Sequence, residues 1–73
     1  MSIAANIQFA RRARGMSEPK LADALGVDVN YVRLLEHGHV QPSGQMATRL
    51  ADALLARREK FVEDLPVSLK PGD

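Results

Sequence analysis

His37 and His39, in "EHGHV", are the residues whose type and spacing most invite a chemical reading, as ligands of a metal ion. Two imidazoles supply at most half of a tetrahedral zinc shell, and the chain has no cysteine to complete one. Surface or phosphate-facing side chains are the better account of the pair, and no metal site is expected. Nothing resembles a nucleophile beside a base, a glycine-rich loop that cradles phosphate, or a carboxylate pair in a pocket. A chain of 73 residues also has little room for an active-site cavity. The sequence therefore points away from an enzyme and calls for no cofactor. What remains is recognition. Residues 17–38, "SEPKLADALGVDVNYVRLLEHG", read as two short helices around a tight break. That is the outline of a helix that reads DNA bases. Two places where such a helix would carry hydrogen-bonding side chains hold Val29 and Leu34 instead.

The elements that must position this stretch are helical. Alanine and leucine dominate, aromatic content is 4%, and β-branched residues are scattered. Ser2 can cap a first helix running to about Arg14, with Ile3, Ile7 and Ala10 on one face. Gly15 stops it. Ser17 can cap a second helix, with Glu18 and Pro19 in its first turn and Leu21, Ala22 and Leu25 as its buried stripe. Gly26 ends it in a left-handed conformation. Asp28 caps a third helix, with Val32 and Leu35 inward, and Gly38 ends that one. Pro42 interrupts the chain and Ser43 caps a fourth helix, which carries Met46, Leu50, Ala53 and Leu54 inward. No Gly or Pro separates this helix from "LARREKFVEDL", so a fifth helix follows directly or the two fuse. Pro66 ends the helical region.

Length and composition set limits on partners. A chain this short buries only about 60% of its unfolded surface, so tight packing or oligomerisation must support it. The absence of cysteine fits a reducing compartment, and a cytoplasmic location is expected. "MSIAANIQFARRARG" lacks the basic start and long apolar run of a secretory signal. No apolar stretch approaches the ~20 residues that a membrane span needs. The net charge is +1, with Arg11, Arg12, Arg14, Lys20 and Arg33 facing four acidic residues in the first half and five against five from Gly44 onward. Bulk charge alone does not announce a nucleic-acid binder.

The residues strengthen the outline. "R…GMS", "LADALGV", "V..LEHG" and "PS…..LADAL", in this order and spacing, resemble the family of lambdoid phage repressor and Cro proteins (the XRE type) over residues 11–54. The resemblance implies an all-α fold, a compact bundle of about five short helices with the third helix in the major groove. It implies a double-stranded DNA operator as partner, bound as a homodimer. Arg11 and Glu36 match positions that often form an ion pair between the first and third helices; the alternative is two solvated charges. Val29, Asn30, Arg33 and Leu34 match the base-reading positions. Asn30 suits adenine and Arg33 guanine, while Val29 or Leu34 suits a thymine methyl. Each has an alternative: solvated surface for Asn30 and Arg33, core packing for Val29, a protein contact for Leu34. Ser17, Lys20, Tyr31, His39, Gln41 and Ser43 match or flank the region that contacts the DNA backbone. Glu18 departs from the glutamine common in the family: its carboxylate would repel a phosphate but can accept from cytosine N4, and the alternative is a solvated first-turn residue that only favours the helix. Phe9 falls off the first helix's apolar stripe, with the bundle edge, the C-terminal tail or a subunit interface as its possible surroundings.

Residues 1–65 are thus read as one helix-turn-helix domain with a C-terminal dimerisation helix, and 66–73 as an extended tail. Leu55, Phe61, Val62 and Leu65 form the candidate dimer surface, since they offer more apolar area than one thin bundle is expected to bury. The functional expectation is a sequence-specific transcriptional repressor. The alternative is an antitoxin or anti-regulator that uses the same fold to bind a protein.

Overall fold

In the computed structural model, which describes residues 2–62, each of the four α-helices begins at a side chain that satisfies one of its unpaired backbone donors. Ser2 caps α1 (Ile3–Ala13), its Oγ accepting from the Ala5 N–H at 3.0 Å. Ser17 caps α2 (Glu18–Leu25), accepting from Lys20 at 3.2 Å. Asp28 caps α3 (Val29–Glu36), accepting from Asn30 at 2.7 Å. Ser43 caps α4 (Gly44–Leu54), accepting from Met46 at 3.1 Å. Each such cap contributes about 1 kcal/mol, which matters in a chain this small.

The helices also end alike. After each, one residue adopts a left-handed conformation, and the next N–H reaches back five residues to a helix carbonyl. Met16 donates to Arg11, Val27 to Ala22, His39 to Leu34 and Ala56 to Ala51, at 2.9–3.1 Å. The left-handed residue is Gly15, Gly26 and Gly38 in the first three cases. In the fourth it is Leu55, at φ 52°. For a leucine this conformation costs about 1–2 kcal/mol, which the surrounding structure must offset.

The break at Leu55 decides between the two expectations for the C-terminal region. No fused helix forms: α4 stops at Leu54, and a single 3-10 turn, Arg58–Phe61, follows. The cause is the packing of the turn. It lies against α1 and α4 and inserts Phe61, the largest fully buried side chain, into the core. Arg58 fixes it from outside, donating from Nε to Thr48 Oγ1 at 2.9 Å and from Nη2 to the Gly44 carbonyl at 3.2 Å. Asn6 of α1 donates to the Lys60 carbonyl at 2.9 Å. Phe61 is therefore not available as a dimer contact, and Val62 is half-buried against the same core. Leu65 and the tail lie outside the described residues.

Ile7, Ala10, Leu21, Ala22, Leu25, Val32, Leu35, Leu50 and Leu54 are buried as their spacing predicts. In α4, Ala47 is fully buried, while Met46 and Ala53 are only partly so. Among the described residues no strand forms, and no helix is long and apolar enough to cross a membrane. Because Phe61 closes the core, Phe61→Ala is expected to remove about 3–5 kcal/mol of stability. Thermal melting followed by circular dichroism checks this; a melting temperature within a few degrees of wild type would contradict it.

Candidate nucleic-acid interface

Helix α3 is held by one face and open on the other. Val32 and Leu35 are buried at 0% and 1% exposure, and they fix the helix against the core. Glu36 is the one buried charged residue among those described, at 3% exposure. Its carboxylate receives Nε of Arg11 at 2.5 Å and Nη2 at 3.1 Å, a two-pronged contact. The third arm of Arg11, Nη1, donates to the Met16 carbonyl at 2.8 Å. The hydrogen bond from Glu36 raises the Arg11 pKa above its ordinary value, against the opposing effect of burial. The charges of Glu36 and Glu18 act in the same direction as that bond. A guanidinium keeps its charge in proteins, and the carboxylate here favours the charged form further. Gln8 adds a bond from Nε2 to the Glu36 carbonyl at 2.6 Å. The structure brings Arg11 and Glu36 together, so neither is a solvated charge.

The opposite face of α3 presents Asn30, Arg33 and Leu34. All three are exposed, Leu34 at 41%. An amide, a guanidinium and an aliphatic side chain offer the three kinds of contact that base edges in the major groove accept. Val29 and Tyr31 are half-buried and pack against the core, so only part of each is open to an outside partner. The break between α2 and α3 is Gly26, Val27 and Asp28, and α2 and α3 pack directly on each other. Arg49 of α4 steadies the end of α2 by donating to the Leu25 carbonyl at 3.3 Å.

The characteristic pattern of the helix-turn-helix family matches residues 7–55. The chain belongs to this family, of the repressor and Cro type. Its helix-turn-helix is α2 and α3. Among solved structures, it is similar to the restriction-modification controller protein C.AhdI from Aeromonas hydrophila, at 28% identity and a TM-score of 0.75, over 82% of this chain and 91% of that one. It is also similar to an HTH_3 family transcriptional regulator from Vibrio cholerae, at 27% identity and a TM-score of 0.72, over 81% of this chain. There it spans only 33% of the other chain. No curated protein sequence matches.

Around the helix-turn-helix lie the candidate backbone contacts. Ser17, Lys20, His39, Gln41 and Ser43 are all exposed. The oxygens of Ser17 and Ser43 are occupied in capping α2 and α4, which leaves each hydroxyl hydrogen free to be donated. His37 and His39 have ring centroids 6.3 Å apart, and no group of three potential metal ligands occurs among the described residues. The sequence reading missed the partner of Arg33: its Nε donates to Glu18 Oε1 at 3.3 Å. Only the departure of Glu18 from the family's usual glutamine hinted that this position is special. Gln8, Arg49 and Arg58 were missed as well, since they bond to distant partners, mostly backbone carbonyls.

The ion pair is costly to break from one side. Arg11→Ala leaves Glu36 buried without a partner and is expected to cost about 3–5 kcal/mol. Replacing both charges together, Arg11→Met with Glu36→Leu, should recover most of the loss, because no orphaned charge remains. Chemical denaturation of the three chains measures this; equal stability of Arg11→Ala and wild type would show that the pair does not hold α3.

Proposed function

We propose that this protein is a transcriptional repressor that binds a pseudo-palindromic operator as a homodimer, with α3 of each copy in the major groove. The observation that carries the reading is the outer face of α3. Asn30, Arg33 and Leu34 stand side by side on a helix whose rotation is fixed by Val32, Leu35 and the Arg11–Glu36 pair. Similarity to a restriction-modification controller and to a transcriptional regulator supports it. Asn30 takes an adenine, Arg33 a guanine and Leu34 a thymine methyl. Val29, already packed against the core, contributes at most an edge to the same apolar contact. The exposed hydroxyls of Ser17 and Ser43, with Lys20, Tyr31, His39 and Gln41, hold phosphates and set the register. The cytoplasm is where such a protein meets its DNA.

For the dimer, the supporting observation is Leu55. It is 74% exposed and sits in a conformation that glycine would adopt more cheaply. A largely exposed side chain kept there at a conformational cost fits a contact with a second copy. Two-fold symmetry then places half-site centres one helical turn apart, ~34 Å.

Two experiments test this reading. Arg33→Ala should cost about 1–3 kcal/mol on the operator and relax preference at one G·C pair, while Ser43→Ala weakens all sequences alike. Replacing thymine by uracil in the operator should weaken the wild type but not Leu34→Ala. If both α3 variants bind DNA normally and lose a protein partner instead, α3 is a protein-docking surface, the reading that exposed Leu34 favours. Second, Leu55→Gly should weaken self-association in sedimentation while stabilising the isolated chain by up to about 1 kcal/mol. A variant as dimeric as the wild type would place the interface elsewhere.

A further inference from the structure

Glu18 opens α2 and Arg33 lies on the open face of α3, and the bond between them joins the two halves of the helix-turn-helix. The pair is solvated: the side chains are 28% and 52% exposed. Pairs this open contribute little to stability, so the fold does not depend on it. Its consequence is geometric. A guanidinium is a rigid fork of five N–H donors. Glu18 engages the Nε edge. The two terminal nitrogens have no partner among the described residues. Those two nitrogens form the end of the fork that matches the paired acceptors O6 and N7 of guanine. The same carboxylate acts on the competing ligand. A phosphate approaching Arg33 meets the negative charge of Glu18, whereas the edge of a guanine presents neutral acceptors.

We propose that Glu18 is a specificity-determining positioning residue, which holds Arg33 by Nε so that its terminal nitrogens face a guanine and turns it away from phosphates. This rests on the reading of α3 as the base-reading helix. It also gives a role in DNA binding to a carboxylate whose charge by itself opposes phosphate contacts. Ordering a long side chain before contact removes part of the entropy that binding would otherwise cost. That gain is realised only at the base pair Arg33 reads.

The test uses the full chain and duplexes selected for binding from a random pool, with each G·C pair replaced in turn, plus one unrelated duplex. Glu18→Ala removes both the acceptor and the charge. Glu18→Gln keeps an acceptor for Nε and removes the charge alone. In Glu18→Ala, preference for the G·C pair read by Arg33 should fall about two- to five-fold, the range that a solvated pair of this kind can supply. Glu18→Gln should retain most of that preference while binding the unrelated duplex more tightly than wild type. In an Arg33→Ala background neither change should alter base preference. Melting temperatures should stay within a few degrees throughout. An unchanged preference in Glu18→Ala, or the same change with and without Arg33, would overturn the proposal and leave α3 as the reading helix. If Arg33→Ala itself leaves base preference intact, the base-reading role of Arg33 falls, and the role of Glu18 with it.

Discussion

A buried charge pair is an expensive way to join two helices, and in this domain Arg11–Glu36 joins three parts of the chain. Taking both ions out of water costs several kcal/mol each. The attraction repays this only where the remaining donors and acceptors are also satisfied. Here they are: both carboxylate oxygens accept from Arg11, and its last nitrogen is taken by the Met16 carbonyl. Apolar side chains of similar size could hold α1 against α3 about as firmly, but a smooth apolar contact tolerates sliding and rotation. The fork of Arg11 adds two directional bonds to the packing of Val32 and Leu35. It specifies one rotation of α3 about its axis, and Gln8 fixes the same end of the helix through the Glu36 carbonyl. Successive residues on a helix are separated by about 100°, so turning α3 by one position would swing Asn30 and Arg33 off the open face. The cost of the pair is thus tied to the direction in which α3 points.

That dependence extends to the far end of the chain. α1 carries Arg11 at its C-terminal end, and the N-terminal part of α1 is fixed by the 3-10 turn through Asn6 and Phe61. The turn follows directly on the end of α4 at Leu54, where the chain leaves the helix through the left-handed Leu55. A left-handed leucine, a single turn of 3-10 helix and one buried phenylalanine therefore support a pair of charges that position a helix on the other side of the core. Each link is small beside the total, but a domain of this length has few others to share the load.

The parts of this arrangement that were legible in the sequence are those with a local cause. Serine and aspartate caps act on N–H groups two or three residues away, and all four appear where the residue types place them. Glycines stop three helices because only their own φ is involved. The buried stripes follow from helical spacing. The Leu55 break was not legible, because its cause is the burial of Phe61 six residues on, and nothing local to Leu55 demands it. The same blindness put Phe61 on a dimer surface: composition shows that a phenylalanine will be covered, but not by which chain. In α4, helical spacing places both Met46 and Ala47 near the core side, and it is Ala47 that is fully buried while Met46 is only partly so. At the site, Arg11 and Glu36 could be paired in advance only through the family pattern, and Glu18 with Arg33 not even so.

Weak net charge has a consequence for how such a domain finds DNA. Binding through phosphates alone grows with the number of cations that displace counterions and weakens steeply with salt. In a chain of net charge +1, Glu36 takes up the charge of Arg11 and Glu18 lies against Arg33, so the helix-turn-helix itself brings little net positive charge to that mode. Lys20 and Arg33 are the exposed cations that α2 and α3 offer, and Arg33 already lies against a carboxylate. In the proposed dimer, affinity would draw on contacts made only at a matching sequence and on their doubling across two copies. In the proposed complex, low charge and a pre-set α3 work together. The first keeps attachment to arbitrary DNA weak, and the second keeps the entropic cost of the matching site low. The gap between specific and non-specific binding widens from both sides, without requiring the matching contacts to be unusually strong.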